Sequence, residues 1–485
     1  MGLLDKLADW YRRQVALATG DIKRYMSAEK MVKTAAVASP LLALLGYFAL
    51  YPLFGDPIIG AIIVAVLALA PWLTVIDVAT SVQSFSKEVE EEMPFIVAMV
   101  AGVANTGMEL IEALRFLTRS RVFKAFKVLA DRFWALSEAL GASEGLRLLS
   151  RMLRGRGKLF MLEYASTLAS GTALHYLRDR AVDFVKTAGV EFERSMTTRM
   201  MLAMMVSMIF AVLPVVLISV ATLYTINITE MRASAEAPPW LLSVPAIMAV
   251  VTAVMCATLP GYPLSAKVVV DRKTLTLYRL LFAAGSTLLA LPALLLVLTN
   301  DVNAFKDMAT PVAVASIALG APSFAATFRA LNMSMDDVVE GMANHVRVYR
   351  SMHLYRDEKL EALTRRSVRP WLADYLKESS EFFKLIGDVD PNVFELFASF
   401  VFEVQRIKRR ASMYMFIMLG ATLMAPFLAT ATIQLGGVLG KQAISVLMGY
   451  TTTLSFAFIA SKLATGRNIS TLLPGIATLI YVSML

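Results

Sequence analysis

Stretches of about twenty apolar residues, separated by charged segments, limit what this chain can become more than any other feature of it. An α-helix rises about 1.5 Å per residue, so roughly 20 residues cover the ~30 Å hydrocarbon core of a bilayer. About nine such stretches occur: Thr34–Phe54, Pro57–Ala79, Met200–Tyr224, Trp240–Pro260, Leu277–Thr299, Met308–Phe328, Ser412–Gln434, Ala443–Leu463 and Thr471–Leu485. The last is short for the task. Of the 485 residues, 57% are apolar and 18% charged. A water-soluble fold of that size lacks the interior to hide so much apolar side chain. The expected medium is lipid, and the expected location is the cell (cytoplasmic) membrane, crossed several times.

Lys and Arg set the orientation, because cytoplasmic loops carry the positive excess. Lys6, Arg12, Arg13, Lys23, Arg24, Lys30 and Lys33 precede the first stretch and place the amino terminus inside. Gly55-Asp56 has no basic residue and reads as outside. Alternation then puts Ser81–Thr198 inside, Thr225–Pro239 outside, Ser265–Thr276 inside, Asn300–Asp307 outside and Arg329–Arg410 inside. An odd number of spans leaves the carboxyl end outside. The resulting plan is a cytoplasmic amphipathic segment (1–33), two spans (34–79), a cytoplasmic helical domain (80–198), four spans (199–328), a second such domain (329–410) and three spans (411–485). In the first segment Leu3, Leu4, Leu7, Trp10 and Tyr11 share a helical face opposite Asp5, Lys6, Arg12 and Arg13. That face suits either the inner leaflet or a protein surface. The segment lacks the short apolar core and cleavage site of a signal peptide.

What the spans lack narrows the function. None holds Asp, Glu, Lys, Arg or His near its middle, and Asp77 sits at an end. Such a charge costs at least about 2.5 kcal/mol and is kept for ion pathways, proton relays or voltage sensing. Ion-coupled transport is therefore disfavoured, while a facilitator for a neutral solute stays open. The net charge of +9 is spread over the loops with no aromatic-and-basic stripe, so no nucleic-acid partner is expected. Cys256 stands alone and forms no internal disulfide. His175, His345 and His353 are scattered without metal spacing. Gly436–Lys441 is one residue short of a phosphate loop and is followed by Gln442 where Ser or Thr is needed. The chain is read as a non-enzyme with no cofactor, no metal and no catalytic residue.

The order span-span-domain-span-span occurs twice, which suggests parallel repeats. Pro214 follows Arg199, and Pro426 follows Arg410, at nearly the same interval inside Met-rich spans, and both are candidate membrane kinks. Met93-Pro94-Phe95 precedes Gly107-Met108-Glu109-Leu110-Ile111-Glu112, and Pro322-Ser323-Phe324 precedes Met335-Asp336-Asp337-Val338-Val339-Glu340. Both domains read as helices. Glu88, Glu90, Glu91, Glu92 and Pro94 predict a helix start, with a break at Asn105-Thr106-Gly107. Helices follow over Met108–Leu117, Val122–Leu140, Ser143–Leu153, Leu159–Ala169 and from Leu174 to Val185, with Arg154–Lys158 as a loop. Short connections make an antiparallel bundle. The second domain breaks near Pro370, Gly387 and Asp390-Pro391-Asn392. The fold class is all-α: a polytopic membrane protein of about nine spans with two cytoplasmic helical bundles, duplicated.

Glu92-Met93-Pro94-Phe95, Gly107, Glu112-Ala113-Leu114, Leu140-Gly141, Ser170-Gly171 and Tyr176-Leu177 resemble the type II secretion F domain family. With two such domains, the layout is similar to the archaeal branch, the membrane platforms of archaella and archaeal type IV pili. In the second domain no Gly matches Gly107, and Pro322 lacks the acidic spacer. The resemblance implies structural roles for Pro94, Gly107, Gly141 and Gly171. It implies partners as well: a hexameric secretion ATPase, pilin or archaellin subunits, membrane lipids and a second copy in a homodimer. The implied function is coupling that ATPase to the insertion of pilin-like subunits. A multi-span transporter or channel with cytoplasmic regulatory domains is the alternative.

Candidate ATPase contacts are the basic groups of the two domains. Arg151, Arg154, Arg156 and Lys158 form one set, and Arg347, Arg350, Arg365, Arg366 and Arg369 the other. Solvated loops or anionic headgroups explain them as well. Arg406, Lys408, Arg409 and Arg410 abut a span and read as positive-inside anchors.

Overall fold

The computed structural model describes residues 5–9, 11, 22–45, 85–103, 110–184, scattered positions between 186 and 205, 243–259, 261–386, 389–438 and 442–485. The span expected at Pro57–Ala79, nearly all of Met200–Tyr224 with Pro214, and the turn at Gly107 lie outside the described residues. The chain divides into two compact units. One comprises Met1–Phe184, Val346–His353 and Glu381–Phe397, and the other Val185–His345, Leu354–Ser380 and Ala398–Leu485.

The first unit is helical. Residues 5–9 are helical at the amino end, and Ala8 and Tyr11 are buried against Val32 and Ala35 of α1 (Ile22–Leu45). Tyr11 is fully covered, and Leu7 packs against the same small cluster. Helix α2 covers 85–101, followed by α3 (Leu110–Leu117), α4 (Lys124–Leu140), α5 (Ala142–Met152), α6 (Gly155–Ser170) and α7 (173–184). Gly141 separates α4 from α5 at φ +82°, and Gly171 ends α6 in the left-handed region at φ +73°, where a Cβ would be strained. Two expectations are corrected. Pro94 lies inside α2, not at its start, and a helix survives one proline when packing holds it. The expected loop Arg154–Lys158 is helical from Gly155 onward. The core takes Val89, Met93, Val97, Val100, Leu114, Phe126, Phe133, Leu146, Phe160 and Tyr164. Phe383 and Phe397, from the unit's later segment, meet edge to face at 4.9 Å.

The second unit contains α8 (Ser243–Thr258), β1 (Val268–Val270), α9 (Arg272–Thr299), α10 (Val302–Asn332), most of α11 (Asp336–Tyr349), α12 (Glu358–Thr364), β2 (Val368–Pro370) and most of α13 (Trp371–Lys384). It continues with α14 (Pro391–Val438) from Ala398, α15 (Gln442–Thr465) and α16 (Leu472–Met484). The expectation of helices alone needs one correction: β1 and β2 pair antiparallel, Val268 opposite Pro370 and Val270 opposite Val368. Three β-branched valines favour the extended chain.

Among the described residues three helices are long and apolar enough to cross a membrane: Arg272–Thr299, the apolar part of Val302–Tyr349, and Ala443–Thr465; Ile247–Cys256 and Leu472–Met484 are shorter apolar helices. Their burial differs in a telling way. In α15 72% of the apolar window is buried, against 22% in α9, so α15 is central and α9 peripheral. The outward faces are apolar: Leu277, Leu280, Leu294 and Leu298 on α9, Val250 and Val254 on α8, and Met413, Phe416, Met424 and Phe427 on α14. Apolar surface of this extent calls for lipid or a partner, not water. Pro426 lies within α14, whose 48 residues make it about 72 Å long.

Candidate functional site

The basic set of the first unit sits where α5 meets α6. Arg151 lies in the last turn of α5, Arg154 is the residue before α6, and Arg156 and Lys158 stand in the first turn of α6; all four side chains are exposed. A helix start dense in positive charge opposes its own dipole. Glu90 of α2 answers it: its carboxylate accepts from Gly157 N at 3.3 Å, and a Cβ on Gly155 (φ +62°) would overlap it. Two residues on, Glu92 does the same for α4. It accepts from Ala125 N at 3.2 Å and Phe126 N at 2.8 Å and is 5% exposed. Burial pushes its carboxyl up to about 7, against the pull of those amides. Glu90 and Glu92 thus cap α6 and α4, at amides 67 and 33 residues away. At the far end of α6, Glu163 accepts from Tyr176 Oη at 2.8 Å and pairs with Arg180, locking α7 against it. The Tyr176 hydrogen bond leads in holding the Glu163 carboxyl below the usual range.

The second set is dispersed. Arg347 pairs with Glu395 at 3.0 Å, and Arg350, at φ +50°, accepts from Val389 N through its carbonyl at 2.7 Å. Arg365 is exposed and pairs with Glu361 at 3.4 Å, one turn back on α12. Arg366 is exposed, its guanidinium 3.8 Å from Met333 Sδ. Arg369 has a structural task. With its side chain 16% exposed, it binds Asp374 at 2.7 Å and Asp271 at 3.0 Å and donates to the Arg366 carbonyl at 2.8 Å, tying the β-ribbon to α9 and α13. The anchor reading of 406–410 is refined similarly. Arg406 is exposed and pairs with Glu403, whereas Lys408 is buried, Arg409 pairs with Asp336 and Arg410 with Glu193.

A buried hydroxyl seam is the feature that sequence reasoning missed. The link between α15 and α16 runs as non-helical chain beside the apolar part of α10, and its carbonyls and hydroxyls are spent there. Ser323 Oγ donates to Ile469 O at 2.7 Å, Ser470 Oγ to Gly320 O at 2.8 Å, and Thr471 Oγ1 to Ser316 O at 2.8 Å. Ser461 Oγ donates to Ser470 O at 2.7 Å, and Asn468 Nδ2 to Cys256 O at 2.9 Å. Glycines allow the approach. A Cβ on Gly320 would overlap the backbone of Leu472, one on Gly285 would meet Thr471 Oγ1 at 2.6 Å, and one on Gly475 would meet Ile317 at 2.8 Å. Non-helical chain in an apolar layer is tolerated only when protein satisfies it, as here. Helix α16 itself has 13 residues, about 20 Å, and is preceded by this non-helical chain. The signal was legible, since Ser316, Gly320, Ser323 and Thr327 recur at helical spacing as small residues on one face.

Among the described residues no group of His, Cys, Asp and Glu could hold a metal. No family model, curated protein or solved structure matches this chain.

Proposed function

We propose that this chain is the membrane platform of an archaeal type IV pilus or archaellum-like filament machine, coupling a hexameric cytoplasmic secretion ATPase to the insertion of pilin-like subunits. One observation carries the reading: three exposed cations, Arg154, Arg156 and Lys158, stand on a helix start that Glu90 fixes from another helix, and exposed Arg151 lies in the last turn of the helix before it. Positive charge on a braced helix end suits a contact that must bear load against an acidic surface. In this reading 81–198 and 329–410 face the cytosol, about nine spans anchor them in the cell membrane as a duplicated plan, and the protein works as a homodimer. Arg347, Arg350, Arg365 and Arg366 are secondary contacts in this reading, and Arg369, whose guanidinium is held by Asp271 and Asp374, is left out of it.

Co-purification with the secretion ATPases of the same cell tests this. Wild-type protein is expected to retain one of them. Reversal of Arg151, Arg154, Arg156 and Lys158 to Glu is expected to lose it, and so is deletion of 81–198. Undiminished binding by the reversed protein would sink the assigned contact. The transporter alternative needs a polar path through the spans. The α15 hydroxyls of Thr451, Thr452, Thr453 and Thr465 instead bond to backbone carbonyls one turn back. Solute-dependent flux in vesicles would favour that alternative.

A further inference from the structure

We propose that the three residues between α10 and α11 form an elbow whose angle is set by a clamp from α14, so that displacing α14 frees α11 from its direction against α10. The inference does not rest on the filament reading.

The elbow is Met333-Ser334-Met335, and Met333 is extended at φ −61°, ψ +121°. A helix end leaves carbonyls without partners. Two side chains three residues apart on one face of α14 supply donors to the same one: Gln405 Nε2 reaches Met333 O at 3.1 Å, and Lys408 Nζ donates to it also. Arg409, one turn on from Gln405, takes the other side of the elbow. Its guanidinium binds Ser334 Oγ at 3.2 Å and the Asp336 carboxylate in the first turn of α11. A single turn of α14 therefore holds the end of one helix and the start of the next.

The choice of Lys408 argues that this grip is more than packing. The side chain is 1% exposed, and burial pushes its amine down to about 7. Asp336 of α11 pulls the other way, Arg409 of α14 adds to the depression, and Arg366 approaches the same Met333 side chain. A methionine would fill the space without desolvating an ammonium. What it could not do is donate to the Met333 carbonyl. Helix α11 has a separate attachment: Lys359 pairs with Asp337 at 2.9 Å, and Tyr355 Oη donates to Val338 O at 3.3 Å. Freed from α14, it would move with that segment.

The test uses full-length protein in lipid nanodiscs, with Cys256→Ala removing the one native cysteine. Spin labels go on Ala325 of α10 and Glu340 of α11, both exposed. Double electron–electron resonance is expected to give one narrow distance. Lys408→Met should at least about double its width or add a second distance, and Gln405→Met should broaden it less. Arg406→Ala, on the same helix and paired only outward to Glu403, should leave it unchanged. Narrow distributions in both Lys408→Met and Gln405→Met, or equal broadening in Arg406→Ala, would overturn the clamp. If Lys408→Met does not fold, Gln405→Met against Arg406→Ala decides.

Discussion

Glu92 in the first unit and Lys408 in the second solve one problem with opposite charges. Each is buried, and each serves the end of a helix other than its own. Glu92 accepts from the amides that open α4, and Lys408 donates to the carbonyl just past α10. Each therefore meets the helix pole that attracts it, positive at an amino end and negative at a carboxyl end. Burial moves both toward neutrality from opposite directions, the acid up to about 7 and the amine down to about 7. The difference lies in what each secures. Glu92 joins helices inside a packed bundle, whereas Lys408 braces a non-helical joint. One is a staple, the other a clamp.

Inverting the charges should break the comparison most severely. Glu92→Lys and Lys408→Glu each set a buried charge against a repelling helix pole, at about 3–5 kcal/mol. Hydrogen exchange should show α4 opening in the first variant and the elbow in the second, and intact protection in both would contradict the assigned roles. Neutral replacements sharpen it through pH. The folded Glu92 carboxyl titrates above its unfolded value of about 4.5, so the folded state holds the proton longer. Its contribution is fully present below 4.5 and is lost as pH rises through 7. Glu92→Gln should thus match wild type at pH 4.5 and exceed it at pH 8 by about 1–3 kcal/mol, read from chemical unfolding in detergent. Lys408 runs the other way. Its folded value lies below 10.5, so local stability rises between pH 7 and 10.5, and the cost of Lys408→Met, which removes the clamp, should be smaller at pH 6 than at pH 10.5 by about 1–2 kcal/mol. Parallel rather than opposed pH trends would refute the pairing of the two. The smallest effect belongs to Arg406→Ala, whose exposed guanidinium pairs with half-buried Glu403 at 3.4 Å and should change stability by no more than about 1 kcal/mol.

How much of this was legible depends on how far apart the partners lie. Gly141 and Gly171 marked their turns because a left-handed backbone is a local demand that only glycine meets easily. Glu90 and Glu92 misled, since local rules assign them to their own helix while the amides they accept from lie 67 and 33 residues on. The β-ribbon escaped notice for the same reason: Val268–Val270 pairs across about a hundred residues. In 406–410 four cations looked alike, but the helix turns them to different sides, so Lys408 points inward and Arg406 outward. Apolar stretches needed no distant partner, and α8, α9, α10, α14, α15 and α16 all fall on them. The bonds that hold the chain before α16 to α10 were not legible, since their partners lie 150 and 155 residues apart.

The side of the membrane on which the charged segments lie carries everything proposed about force and partners. In a Cys256→Ala background, single cysteines at Lys158, Arg365 and Asp301 can be challenged in intact cells with a thiol reagent that does not cross membranes. Asp301 alone should react, with Lys158 and Arg365 reacting only after the cells are opened. Labelling of Lys158 and Arg365 from opposite sides would contradict a shared cytosolic face, and with it a platform that offers both segments to one motor.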